Sequence, residues 1–205
     1  MDNHQKRGVM IYLKEVPFSV LALSLLFALL SCTPKPEEIL KSYVEAYNSH
    51  DIDKVMSLYI DDVTFENVGV WTKQGKHEVR KITEWDAATH IHMHVSDIEV
   101  VGDTVTFYLI ETNDWLKLAG IGEWHYKGSI VVHNGLIRKL RAEITEQSLK
   151  TFQKAWQSIM GWASKERSSE LAELMPDGEF LYGEKVAKKW LVLLQEWREA
   201  TQFNK

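Results

Sequence analysis

The chain has 205 residues, of which 45% are apolar and 26% charged, and this balance excludes disordered, collagen-like and disulfide-rich proteins. Its formal net charge of -5 argues against a nucleic-acid partner, because proteins that bind phosphate backbones concentrate Lys and Arg on one face. A single cysteine, Cys32, leaves no intramolecular disulfide and no cysteine-based zinc cluster.

The N-terminal segment has the layout of a secretory signal. Basic residues precede an apolar run over residues 16–30, which is shorter than the roughly 20 residues that span a bilayer as a helix. The run ends in Leu29-Leu30-Ser31-Cys32, which resembles the bacterial lipobox, whose cysteine is lipidated and becomes the first mature residue. The resemblance implies a lipoprotein signal peptide over residues 1–31 and a membrane partner reached through the lipid on Cys32. It places the protein in the bacterial cell envelope, facing the periplasm or the cell surface. The alternative is a soluble exported protein.

The mature chain opens with predicted helices. A tether over residues 32–37 leads into a helix at Pro36, where a proline followed by two acids is typical of a first turn. Asp51 is the expected N-cap of a second helix. Gly75 opens a third helical segment, which we expect to reach about Trp85.

Between and after these helices the pattern favours strands. Alternation predicts a short strand over residues 63–66. Two hairpins are expected, one over residues 98–112 around Gly102-Asp103 and one over residues 123–144 around Asn134-Gly135, since both turns contain residues that accept positive φ angles. After Thr145 the apolar spacing is helical again, so residues 146–205 predict a helical extension.

This order of elements, and residues 46–66 in particular, resembles the opening of the nuclear transport factor 2-like, or SnoaL-like, superfamily. Residues 75–80 look like its third-helix start and residues 100–105 like its central hairpin. The resemblance implies an α+β fold, in which a cone-shaped, curved antiparallel sheet is combined with three helices in the N-terminal half. It covers residues 38–145 as a domain, with the C-terminal helices packed on it.

The superfamily contains isomerases, hydrolases, dehydratases and cyclases as well as non-catalytic binding modules, so membership alone does not select a function. Aligned through the opening motif, Tyr43 matches the oxyanion tyrosine of ketosteroid isomerases, whereas the position of the catalytic base falls on Asn67. An amide cannot abstract a proton at neutral pH, but it can bind a ligand by hydrogen bonds. We therefore expect a small apolar or aromatic ligand in the cone, without catalysis and without a cofactor.

The residues expected to bind this ligand carry hydroxyl, amide or indole groups and are predicted to face the cone or its mouth. They are Tyr43, Tyr47, Asn67, Trp71, Trp115 and Trp124. Three other tryptophans lie on helical stripes of the extension and are expected in the core: Trp156, Trp190 and Trp197.

Three alternatives stay open. A set of Tyr43, Asp114 and His125 could carry out general acid-base catalysis as a lyase, isomerase or hydrolase if the side chains converge. His90, His92 and His94 project from one face of a strand and are weak candidates for a metal site, the other interpretation being that they face water. The outer sheet face could also serve protein interaction or a homodimer.

Overall fold

The computed structural model describes residues 34–202, and its first three helices begin where the sequence predicts them, whereas the short helix at Asp114–Leu118 was not predicted. At the first helix the Lys35 N–H donates to the Glu38 carboxylate at 3.0 Å. At the second, the Asp51 carboxylate accepts from the Lys54 N–H at 2.9 Å. The helices are α1 (Pro36–Asn48), α2 (Ile52–Ser57), α3 (Lys76–Ala88), α4 (Asp114–Leu118), α5 (Glu146–Glu166), α6 (Ser168–Leu174) and α7 (Glu184–Gln202).

The strands form one curved, unclosed sheet in the spatial order β2-β1-β6-β5-β4-β3. They are β1 (Tyr59–Asn67), β2 (Trp71–Gln74), β3 (His92–Val101), β4 (Thr104–Thr112), β5 (Trp124–His133) and β6 (Leu136–Ile144). Both predicted hairpins are present, and Asn134 and Gly135 adopt the positive φ angles of 51° and 76° that a tight turn requires. The α+β fold expected from the resemblance is confirmed.

Two details of the sheet differ from the expectation. Strand β2, which the sequence pattern does not separate from the preceding turn, pairs with β1 to form an additional short hairpin. Strand β1 also pairs with β6 in parallel, so the sheet is mixed rather than wholly antiparallel. Parallel neighbours need a long connection, which here contains most of the domain.

A side-chain clamp fixes α1 against the edge strand β3. Asn48 Nδ2 donates to the Met93 carbonyl at 2.9 Å, and Asn48 Oδ1 accepts from the Met93 N–H at 2.7 Å. One amide thus pairs both backbone groups of a residue on β3, in the way a neighbouring strand would.

The core consists of two adjoining clusters. One lies between α1, α2 and the sheet; the other joins α3 and α4 to the C-terminal helices and has Trp190 fully buried within it. Trp124 packs against both. Residues 34–202 belong to one compact unit.

Residues 1–33 lie outside the described part of the chain, and with them the predicted signal peptide and Cys32. Within residues 34–202 no helix combines the length and apolar character needed to cross a membrane.

Candidate functional site

The concave side of the sheet, α1, α3 and the C-terminal extension surround a cavity of about 550 Å³. Its wall is predominantly apolar and rich in aromatic rings. Cavities of this size and composition accommodate drug-sized ligands. The cavity is therefore the candidate site.

The structure brings together every residue that the sequence predicts for ligand binding. The cavity is lined by Tyr43, Tyr47, Asn67, Trp71, Trp115 and Trp124. Trp156, expected in the core, also lines it and packs against the core cluster that contains Trp190. Their contact with a ligand stays a prediction.

Two buried tyrosines, Tyr43 and Tyr47, line the cavity, and a third, Tyr59, contacts Tyr43. The Tyr59 hydroxyl donates to the Tyr43 hydroxyl at 3.2 Å, and the Tyr47 hydroxyl lies 3.2 Å from Thr83 Oγ1. Burial is the largest cause that raises the pKa of all three tyrosines well above the ordinary value. The hydroxyls therefore stay protonated at neutral pH and can both donate and accept hydrogen bonds.

Three acids line the cavity, of which Glu179 is exposed. The two inner acids, Asp86 and Glu111, were not predicted as site residues. The sequence does contain a signal for them. Asp86 follows Val79, Ile82 and Thr83 at helical spacing on the buried face of α3, and Glu111 continues the inward alternation of β4. An acid at a position where the helical or strand spacing predicts a buried side chain indicates a functional group, because burying a charge is costly.

Hydrogen bonds hold the carboxyl of Glu111 in place. Asn113 Nδ2 donates to Glu111 Oε1 at 2.7 Å, and the Tyr126 hydroxyl interacts with the same carboxyl. Burial outweighs both contacts and raises the pKa of Glu111 to about 7. Glu111 can therefore gain or lose a proton near neutral pH.

The carboxyl of Asp86 is in a different situation. No hydrogen bond within residues 34–202 reaches it, although it lines the cavity. Burial, and after it the negative charge of Glu111, raises the pKa of Asp86 well above the ordinary value. Two acids that face one apolar cavity resist simultaneous ionisation.

The C-terminal extension covers part of the cavity without filling it. Trp71 Nε1 donates to the Tyr182 hydroxyl at 2.7 Å, and the Phe180 ring packs edge-on against Trp85 at a centroid distance of 5.1 Å. Phe180 also stacks on Trp190, with centroids 5.2 Å apart. The segment before α7 thus forms part of the cavity wall, and its side chains leave the cavity unfilled.

The structure does not assemble the alternative catalytic set of Tyr43, Asp114 and His125. Asp114 Oδ2 lies 2.7 Å from His90 Nδ1 at the surface. His125 contacts Tyr108 and Glu123 at 2.9 and 2.8 Å. The reason is strand alternation, since Tyr126 faces the cavity and its neighbour His125 must face the other side. Only Tyr43 lines the cavity.

The three histidines do not share one environment. His90 adopts a positive φ of 55° in the turn before β3 and pairs with Asp114, whereas His92 and His94 are exposed on β3. Within residues 34–202 no group of three or more His, Cys, Asp or Glu side chains is placed to hold a metal ion.

Comparison with known proteins agrees with this fold. Residues 40–135 match the sequence profile of the SnoaL-like domain family. No curated protein sequence matches the chain. Among solved structures, SalBIII, an epoxide hydrolase/cyclase-like enzyme in pyran ring formation in the polyether salinomycin, aligns with a TM-score of 0.50 and 15% identity over 55% of this chain and 92% of its own.

A nuclear transport factor 2-like protein of unknown function from Cytophaga hutchinsonii aligns with a TM-score of 0.48 and 12% identity, over 59% of this chain and 99% of its own. A polyketide cyclase-like protein from Pseudomonas putida aligns with a TM-score of 0.45 and 15% identity, over 57% of this chain and 96% of its own. At such identities the likeness concerns the fold alone. The relation of this chain to the SnoaL-like, nuclear transport factor 2-like domains therefore rests on the profile match over residues 40–135.

Proposed function

We propose that this chain is an exported, lipid-anchored protein whose SnoaL-like domain binds a small, largely apolar aromatic molecule in the cavity. The observation that carries the proposal is the cavity itself, about 550 Å³ of space that remains open although the C-terminal extension packs over it. An unfilled apolar space of this size weakens the packing of the protein. A ligand that fills it therefore stabilises the folded state.

Fluorescence of N-phenyl-1-naphthylamine, a neutral aromatic probe at pH 7, tests the binding. A saturable rise in emission with one site per chain is expected. Val95→Trp places an indole in the cavity wall and should weaken binding at least about tenfold. The control is Val101→Trp on the same strand, where the side chain is 77% exposed. Unsaturable emission, or equal binding by both variants, would refute the proposal.

The lipid anchor rests on the Leu29-Leu30-Ser31-Cys32 segment. The full chain, expressed in a bacterium that processes lipoproteins, should fractionate with membranes and accumulate as precursor under globomycin. Cys32→Ser should abolish both the lipid mass and the processing. A Cys32→Ser chain that is processed and retained like the natural one would contradict the anchor.

Acid-base catalysis is the second candidate, and the raised pKa of Glu111, about 7, favours it. The catalytic group would be Glu111 rather than Asp114 or His125. Because some proteins of this fold are described as epoxide hydrolases, styrene oxide is a suitable first substrate. Diol formation that Glu111→Gln abolishes would support catalysis, and equal rates for both chains would exclude it for this substrate.

A further inference from the structure

The two cavity acids approach each other from different elements, α3 for Asp86 and β4 for Glu111. Their interaction is repulsive when both are ionised. Glu111 has donors in Asn113 and Tyr126, whereas no described side chain donates to Asp86. Buried polar groups are normally hydrogen-bonded. Because the Asp86 carboxyl has no donor among the described side chains, a ligand in the cavity can supply one.

The two cations of the cavity wall, Lys73 and Arg141, form ion pairs with acids other than Asp86 and Glu111. Lys73 Nζ lies 4.0 Å from the carboxylate of Glu179. The Arg141 guanidinium lies 3.1 Å from Glu143 and 3.9 Å from Glu66. Lys73 and Arg141 therefore have acids of their own, and no cation of the described residues contacts the carboxyls of Asp86 and Glu111.

Aromatic rings adjoin the pair. Trp85 precedes Asp86 in α3, and the Tyr182 ring lies against Trp85 at a centroid distance of 5.9 Å. The Tyr126 ring packs edge-on against Trp124 at 6.0 Å, next to Glu111. The faces of such rings attract cations, most strongly where water is excluded.

We propose that the cavity selects a hydrophobic amine in its ammonium form, whose N–H groups donate to the carboxylates of Asp86 and Glu111 while its apolar part contacts the aromatic wall. This inference rests on the proposed binding function and names the chemical class of the ligand. No covalent step is involved.

Binding of the cation has a consequence for protons. The ammonium group stabilises the ionised carboxyls, so the complex forms with release of protons near pH 7, where free Glu111 is partly protonated. The other groups that face the pair do not compete. Its tyrosine neighbours, Tyr47, Tyr59, Tyr126 and Tyr182, have pKa values raised by burial and stay neutral. Lys73 is paired with Glu179, the third acid of the wall, and Arg141 is paired with Glu143.

The test compares 2-(1-naphthyl)ethylamine with 2-(1-naphthyl)ethanol, which have the same ring and nearly the same shape but differ in charge. Titration calorimetry of the folded protein should show the amine bound at least about tenfold more tightly at pH 7.5. Affinity for the amine should increase between about pH 5.5 and 8, and buffers of different ionisation enthalpy should reveal proton release. Alcohol binding that equals or exceeds amine binding would overturn the proposal.

The double variant Asp86→Asn/Glu111→Gln should lose the preference for the amine and still bind the alcohol. Glu84→Gln is the matched control, since Glu84 lies on α3 but outside the cavity wall. A preference that survives in the double variant would also refute the role of the pair. If N-phenyl-1-naphthylamine binds but the amine is not preferred, the ligand class is wrong and the cavity function stands. If no probe binds, both proposals fail.

Discussion

Asn113 connects the cavity acid Glu111 to the start of helix α4. Its Nδ2 donates to Glu111 Oε1 at 2.7 Å, and its Oδ1 accepts from the Leu116 N–H, also at 2.7 Å. One amide therefore orients the carboxyl and caps the helix that carries Trp115 into the cavity wall. Changes at this position can separate the two tasks, because Asp caps a helix as well as Asn but cannot donate to a carboxylate.

Asn113→Asp is expected to keep the fold and to raise the pKa of Glu111 further, since it removes a donor that favours the ionised form and adds a negative charge. The measurement is a titration of the Glu111 side-chain carboxyl by carbon-detected NMR. Asn113→Ser, which also caps but adds no charge, should give a smaller upward shift. An unchanged titration in Asn113→Asp would show that the hydrogen bond does not influence Glu111.

Stability should depend on pH through Glu111. Burial raises its pKa from 4.5 to about 7, so the folded state holds this proton more tightly than the unfolded state. The resulting stabilisation is fully present below the unfolded pKa and is lost as pH rises through about 7. Between these limits the natural chain should lose about 1–3 kcal/mol of unfolding free energy relative to Glu111→Gln.

Urea unfolding of both chains at several pH values measures this difference. The Glu84→Gln control should follow the natural chain. Parallel stability curves for the natural chain and Glu111→Gln would contradict the raised pKa.

Gly128→Ala is expected to alter the cavity more than the fold. A Cβ at this position would lie 2.6 Å from Cζ of the Phe107 ring, and both residues line the cavity. The ring has open space to move into, so the cost in stability should be about 1–2 kcal/mol, whereas the affinity for N-phenyl-1-naphthylamine should fall at least about fivefold. A loss of stability without a loss of affinity would contradict a movement of Phe107 into the cavity.

Asn48→Ala should destabilise the protein by about 2–3 kcal/mol, because it leaves both backbone groups of Met93 without their partner. Chemical denaturation measures the loss, and hydrogen exchange should show faster exchange of the Met93 amide. Ser57→Ala, which removes an exposed bond to the Lys54 carbonyl, serves as control and should cost at most about 0.5 kcal/mol. Equal losses in both variants would mean that the Asn48 clamp contributes little.

Local patterns were sufficient to predict most helices and both long hairpins, because capping residues, turn glycines and apolar spacing act over a few residues. The six residues expected to bind a ligand also line the cavity, although Tyr43 and Asn67 were identified through the resemblance to ketosteroid isomerases and not from local patterns. Strand β2 was missed since four residues carry too little periodicity, and the parallel pairing of β1 with β6 depends on contacts between distant parts of the chain.

The inner acids were missed for a different reason. Asp86 occupies the next position of the buried stripe of α3. From the sequence alone, an acid at that position is interpreted as the polar border of the stripe, because the location of the sheet is not known. The contribution of the extension to the wall, through Phe180 and Tyr182, likewise depends on how two clusters pack together.

Strand β6 lies outside the residues that match the family profile, although the sheet needs it to be complete. The profile match ends at residue 135, whereas β6 runs from Leu136 to Ile144 and lies between β1 and β5. A fragment limited to residues 40–135 would present two unpaired strand edges in the middle of its sheet and would also expose the rings now covered by the extension. Such a fragment should aggregate on expression, so the smallest piece suited to biochemical work extends through α7.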